Sequence, residues 1–104
     1  MYIQQLRFTR ADVSSLGIDG TIEAINAAAN PEMQIQYQAI LERHLDENLY
    51  VSHTIQNNTY IVTRHWNSQE ECESFFAALG TVGQRLRQSI EGTGFKLEQF
   101  FTTV

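Results

Sequence analysis

The passage YIVTRHWNSQEECESFF, residues 60–76, holds the clearest secondary-structure signals in the chain. Its first part alternates apolar and polar residues and is rich in β-branched and aromatic side chains, which predicts a half-buried strand ending at Trp66. Ser68 stands three residues before Glu71, so its hydroxyl can accept from the Glu71 backbone N–H and begin a helix. The passage therefore predicts a strand, a short polar turn and an amphipathic helix that ends at Gly80.

A second strand precedes this one, and the two are predicted to form a hairpin. Residues 49–56, LYVSHTIQ, join the strand at 59–66 through Asn57 and Asn58, and asparagine tolerates the positive φ of a tight turn. A two-residue turn pairs His53 with Val62 and places both on one face of the sheet. His65 then lies on the opposite face.

The remaining segments complete an alternating order of strands and helices. Asp19 is predicted to cap a short helix, and Asn30 with Pro31 to begin a second one, because Asn caps well and Pro suits the first helical position. The predicted segments are strand 2–9, helices 21–29, 31–47, 69–79 and 81–91, and strand 95–104. This β-α-β-β-α-β order predicts one domain, 1–104, of the α+β class. We expect a ferredoxin-like four-stranded antiparallel sheet with helices on one face.

Composition narrows the classes of partner and compartment. The chain has 104 residues, a formal net charge of −5, and scattered Lys and Arg that form no basic stripe, so we expect no nucleic-acid partner. A polybasic patch and an apolar run near 18 residues are also missing from the sequence, so we expect no membrane association. With Cys72 as the one cysteine, a disulfide framework is excluded and a cytoplasmic location is expected.

The face predicted to lie under the helices carries four polar side chains among apolar ones, namely Gln4, His53, Arg64 and Gln99. Burying each without a partner costs about 1–3 kcal/mol. They therefore indicate a polar network or a cavity reached by water or ligand, unless some lie at strand ends and point to solvent.

The opposite face of the sheet is predicted to be partly apolar, because it carries Ile3, Tyr50, Ile61, His65, Phe100 and Val104. A two-layer domain has no second helical layer to cover such a patch, and patches of this kind usually mark interfaces. We therefore expect a homodimer.

Residues 49–79, and the passage at 60–76 above all, resemble the antibiotic-biosynthesis-monooxygenase-like group of the dimeric α/β-barrel superfamily. In that group a strand ends in Trp, a short polar turn follows, and a helix rich in Glu, Ala and Phe begins. The resemblance implies a homodimer whose sheets form a barrel, with a pocket between sheet and helices in each subunit. Some members are cofactor-free oxygenases of aromatic polyketides, others degrade haem, and many have no known activity.

The sequence departs from the haem-degrading members of that group. They use a histidine in the helix after the tryptophan, whereas residues 68–80 contain none. They also carry an asparagine on the first strand, where this chain has Gln4 and Gln5. Haem degradation is therefore not expected, and no cofactor is predicted.

Five residues are the candidates for a small-molecule site. His53 can act as a general base, since an ordinary histidine titrates near neutral pH, and Arg64 can stabilise an anion or enolate; these two are the catalytic candidates. The ligand-binding candidates are Tyr37, Gln4 and Trp66, whose flat ring suits an aromatic ligand. Three of them have a structural alternative: Trp66 in the core, His53 held by a hydrogen bond, and Arg64 in a salt bridge to a covering helix.

Metal chemistry and thiol chemistry are not expected. The three histidines have no metal-ligand spacing, and Cys72 is predicted to be a packed thiol on the buried stripe of its helix. Two hypotheses remain open. One is a cofactor-independent monooxygenase acting on a small aromatic or enolisable ligand, and the other is a non-catalytic dimeric ligand-binding or interaction domain.

Overall fold

The computed structural model of the protein describes residues 1–45 and 51–104. Four strands form one sheet in the order β2-β3-β1-β4, and each neighbouring pair is antiparallel. This is the ferredoxin-like α+β arrangement that the sequence predicts. The elements are β1 (Tyr2–Thr9), α1 (Val13–Ala28), α2 (Pro31–His44), β2 (Val51–Gln56), β3 (Thr59–Trp66), α3 (Gln69–Leu79), α4 (Thr81–Glu91) and β4 (Lys96–Thr103).

The hairpin of β2 and β3 has the predicted register. His53 pairs with Val62, and Asn57 takes a positive φ of 54° in the turn. The prediction that His53 and His65 lie on opposite faces is therefore confirmed. The calls on Leu49 and Tyr50, and on the last residues of the predicted helix 31–47, fall outside the described residues.

The first helical segment differs from its prediction. Asp19 lies inside α1, which already begins at Val13 and bends at Gly17, where φ is 72° and ψ is −175°. Val13 is 0% exposed, so burial of its side chain stabilises a first turn whose Ser- and Gly-rich sequence is typical of a loop. Glycine permits the bend because residues with a side chain rarely adopt its backbone angles.

Two caps fix where the next helices begin, and both were predicted. The Asn30 side chain accepts from the backbone N–H groups of Glu32 and Met33 at 3.0 and 3.3 Å, with Pro31 at the first helical position. The Ser68 hydroxyl accepts from the Glu71 N–H at 3.2 Å. These caps set the positions of Tyr37 in α2 and Phe75 in α3, which meet edge to face with ring centroids 5.6 Å apart.

The two faces of the sheet differ in how far the helices cover them. The helices pack on the inner face, which carries buried Leu6, Phe8, Tyr60, Val62, Trp66 and Leu97. On the other face, called the open face below, Phe100 is 46% exposed and lies under the Arg7 guanidinium at 4.9 Å from the ring centroid. Ile61 is buried on that face between its register neighbours Arg7 and Thr54.

Candidate functional site

A cavity of about 430 Å³ lies between the inner face of the sheet and the helices. Leu6, Phe8 and Leu97 give the sheet side an apolar surface, and Phe76 adds an aromatic surface from α3. Its polar side chains are Asn26, Gln34, Tyr37, Gln38, Arg64, Gln84, Arg87 and Gln99. Among the described lining residues none is acidic, while Arg64 and Arg87 are basic.

Arg64 and Tyr37 are hydrogen-bonded to each other at this cavity. The Arg64 Nη1 donates to the Tyr37 hydroxyl at 2.7 Å, and the Arg64 Cζ lies 5.6 Å from the centroid of the Tyr37 ring. Strand β3 supplies Arg64 and helix α2 supplies Tyr37. Because guanidinium is only a donor, the Tyr37 oxygen must be the acceptor, which leaves the phenolic proton available for a third group.

Among the described residues, Arg64 has no carboxylate partner for its charge. In the part of the chain that the structure describes, the ion pairs are Arg10–Asp12, Arg87–Glu91 and Lys96–Glu98. Arg87 also lines the cavity, but it is held by Glu91 and by the Leu97 carbonyl, each at 2.7 Å. The salt-bridge alternative for Arg64 is therefore not seen among the described residues, and Arg64 is the cavity's cation without a carboxylate counterion.

Gln4 and Trp66 lie beside the cavity rather than at its surface. They are 1% and 0% exposed, and the Trp66 indole N–H donates to the Gln4 Oε1 at 3.0 Å. Gln4 Nε2 donates in turn to Gln99 Oε1 at 2.9 Å. A hydrogen-bonded chain thus runs from the buried indole to Gln99, which does line the cavity.

His53 is separate from the other candidates. It is exposed on the edge strand β2 and is not among the residues that line the cavity. Its Nδ1 lies 2.5 Å from the Tyr60 hydroxyl, with the two rings stacked at a centroid distance of 5.9 Å. Burial raises the pKa of the Tyr60 phenol above its ordinary value, so Tyr60 stays protonated and can donate to the imidazole.

The structure therefore brings together two of the five sequence candidates, Tyr37 and Arg64, at one cavity. Gln4 and Trp66 stand behind it, and His53 stands apart. Gln99 was not predicted as a site residue, although its polar side chain at an inward-facing position of β4 could have indicated it. The amides from the helices, such as Gln34 and Gln84, carried no such signal, because polar residues on helices are most often solvent-exposed.

The cysteine thiol lies outside this cavity. Cys72 is buried in the cluster around Trp66, and burial raises the pKa of its thiol to about 11. Within residues 1–45 and 51–104, no group of three or more His, Cys, Asp or Glu side chains could hold a metal ion. No helix among these residues has both the length and the apolar character needed to cross a membrane.

Comparison with solved structures identifies the fold. A candidate antibiotic biosynthesis monooxygenase from Deinococcus radiodurans superposes with a TM-score of 0.57 at 16% identity, over 100% of this chain and 92% of that one. A dimeric ferredoxin-like protein from an uncultured marine organism gives a TM-score of 0.59 at 9% identity, over 100% and 94% of the two chains. No protein-family model and no curated protein matches the sequence. The resemblance stated from residues 49–79 is thus confirmed at the level of the fold.

Proposed function

We propose that the protein is a homodimer that binds a small aromatic or enolisable anion in the cavity between sheet and helices. The observation that carries this proposal is the Arg64–Tyr37 pair. A guanidinium without a carboxylate partner among the described residues, placed at a largely apolar cavity, suits an oxyanion with which it can form charge-assisted hydrogen bonds. The free phenolic proton of Tyr37 offers a second hydrogen bond to the same anion.

The size and lining of the cavity support an aromatic ligand. Sites for small molecules usually measure about 300–1,000 Å³ and combine apolar walls with a few polar groups, and this cavity of about 430 Å³ has that composition. Phe8 and Phe76 offer ring surfaces for offset or edge-to-face packing.

The homodimer is supported by the open face of the sheet. Phe100 is 46% exposed there, with Ile3 partly buried nearby, and no helix of the described residues covers this face. The similar fold from the uncultured marine organism is described as dimeric. A second copy on this face would give the barrel that the family resemblance implies.

Isothermal titration with 2-naphthoate and its neutral analogue 2-naphthamide tests the anion site. We expect the carboxylate to bind at least tenfold more tightly than the amide, since only the carboxylate can use the charge of Arg64. Arg64→Gln should remove this preference and Tyr37→Phe should reduce it. Arg85→Gln removes the same charge from an exposed position outside the cavity and should leave the preference intact. Equal affinities for the two compounds in the wild type would contradict the proposal.

Cofactor-independent oxygenation is a second candidate, favoured by the similarity in fold to the Deinococcus radiodurans protein. Its chemistry would convert an activated CH2 group and O2 into a ketone and water, which balances without an added reductant. The substrate must first lose a proton, and Arg64 and Tyr37 could stabilise the enolate that results. Among the described lining residues none is an imidazole or a carboxylate, so His53 as the base stays a prediction.

Oxygen uptake with anthrone, an enolisable aromatic ketone, distinguishes enzyme from binder. An oxygenase should consume one O2 per ketone formed, and Arg64→Gln should abolish that uptake. His53→Ala should abolish it as well if His53 is the base, with the fold checked by circular dichroism. Tight binding of 2-naphthoate with no uptake would favour the non-catalytic binding protein.

A further inference from the structure

The orientation of the Gln4 amide is fixed by Trp66. An indole N–H is a donor with no acceptor capacity, so the Gln4 atom 3.0 Å from Trp66 Nε1 must be the amide oxygen. The amide nitrogen then points the other way. Because Gln4 is 1% exposed, water cannot supply alternative partners, and the opposite orientation would set two donors against each other.

The hydrogen bond from Gln4 determines the orientation of the Gln99 amide. The Gln4 Nε2 is a donor, so the Gln99 atom 2.9 Å away must be its Oε1. With the oxygen engaged, the Gln99 amide nitrogen is the group left for the cavity that this residue lines. Among the described residues, no protein acceptor bonds that nitrogen.

We propose that Gln99 is a specificity-determining hydrogen-bond donor of the ligand site, held in that orientation by Trp66 acting through Gln4. Trp66 and Gln4 are then positioning residues rather than ligand contacts. The proposal rests on the proposed function and refines its ligand class. The polar groups of Arg64, Tyr37 and Gln99 all present donors, so the site selects ligands that present acceptor oxygens to each of them.

The sheet register gives the spacing of these donors. Arg64 on β3 lies opposite Gln4 on β1, while Gln99 lies on β4 at the other side of β1. Gln99 pairs with Leu6, two residues along β1 from Gln4, so the two donor residues are two strand spacings apart across the sheet and two residues apart along it, about 12 Å at the backbone. An aromatic ligand with a carboxylate or enolate oxygen at one end and a carbonyl oxygen at the other fits this arrangement.

Two substituted naphthoates test the donor role. 6-Acetyl-2-naphthoate carries an acceptor at its far end, and 6-amino-2-naphthoate carries a donor there. We expect the wild type to prefer the acetyl compound about tenfold, because the amino group would leave a donor opposite a donor. Gln99→Glu, which is nearly isosteric but accepts, should reverse the preference. Gln88→Glu adds the same charge on an exposed part of α4 and should not.

The positioning role of Trp66 and Gln4 predicts a loss of ligand preference without a loss of binding. Trp66→Phe and Gln4→Met each free the Gln99 amide to rotate, so the acetyl-to-amino preference should fall to within about twofold while 2-naphthoate still binds. If neither variant folds, the wild-type protein supplies the test. Its Gln99 side-chain amide proton resonances should shift downfield with the acetyl compound and not with the amino compound.

The failure of this inference can be told apart from that of the proposed function. The donor role would be overturned if Gln99→Glu kept the wild-type preference, or if the Gln99 amide responded to neither compound. In either case Arg64→Gln could still lose the carboxylate preference, and the anion site would stand. If no naphthoate binds the wild type, both the anion site and the donor role are wrong.

Discussion

The indole of Trp66 and the amide of Gln4 form a buried hydrogen-bonded pair, with Nε1 and Oε1 3.0 Å apart. They belong to β3 and β1, whose register sets Gln4 opposite Arg64. The inner face thus places Arg64, which has no carboxylate partner among the described residues, next to an amide whose two polar atoms are both hydrogen-bonded. Among the described residues of this face, the polar side chains that line the cavity are those of Arg64 and Gln99.

Trp66→Phe should lower the free energy of unfolding by at least about 1–3 kcal/mol, the cost of leaving the buried Gln4 oxygen without a donor. Combined with Gln4→Met, the loss should be smaller than the sum of the two single losses, because the second change removes the orphaned oxygen. Urea unfolding of the two single variants and the double variant measures these losses. It is followed by circular dichroism, because Trp66 is the one tryptophan and Trp66→Phe removes its fluorescence. Strictly additive losses would show that the pair is not coupled.

Cys72 should be unreactive in the folded protein. Its thiol is buried and its pKa is raised from 9.0 to about 11, so at pH 8 the thiolate is on the order of one part in a thousand. A thiol-disulfide reagent such as Ellman's should react within seconds in guanidinium and only on the timescale of unfolding without it. Rapid labelling of the native protein would contradict the burial of this residue.

The same thiol should make stability fall as the pH rises from about 9 to about 11. The fold raises the pKa, so the unfolded chain loses the Cys72 proton first, and the stabilisation present below pH 9 declines through that window. Cys72→Ala should flatten this decline, measured by urea unfolding at several pH values. In Cys72→Ala, the decline in stability that remains is expected above pH 10, because the fold also raises the pKa of Tyr60.

Gly17→Ala should destabilise the protein by about 1–3 kcal/mol, because an alanine is strained at the bend where φ is 72° and ψ is −175°. Gly92→Ala is the matched control, since Gly92 has helical angles of −61° and −16°. That change should be neutral or slightly stabilising through the entropy of the unfolded chain. Equal effects in thermal unfolding would mean that the bend at Gly17 is not required.

Phe100→Glu should convert the proposed dimer into a monomer, because it places a charge at an exposed aromatic position of the open face. Light scattering after size exclusion should give about twice 11.9 kDa for the wild type and about 11.9 kDa for the variant. Ile35→Glu, at a residue that is 72% exposed on α2, should leave the dimer intact. A monomeric wild type at micromolar concentration would remove the dimer from the proposal.

The sheet could be predicted from the sequence because its signals are local and consistent. Asn57 and Asn58 fix a two-residue turn, and that turn determines which side chains of β2 and β3 share a face. The first turn of α1 could not be predicted, since its stability comes from the burial of Val13 by distant residues. Local composition there favours a loop, and tertiary packing overrides it.

The candidate site could be predicted only in part. Alternation gives the face on which His53 and Arg64 lie, and both lie on the predicted one. It does not give their positions across the sheet: β2 is an edge strand, so His53 is exposed there, while Arg64 on β3 lines the cavity. The role of Gln99 depends on two side-chain hydrogen bonds between distant residues, which no local pattern specifies.

The central position of β1 has a consequence for how the chain acquires its structure. Tyr2 pairs with Trp66 on one side and with Thr103 on the other, so β1 can be paired only after strands that lie much later in the sequence have been made. Such high contact order slows folding and leaves Leu6 and Phe8 uncovered on the nascent chain. The segments that can form early are the local ones, the capped helices and the β2–β3 hairpin, and the cavity is complete only once β4, which supplies Leu97 and Gln99, has docked.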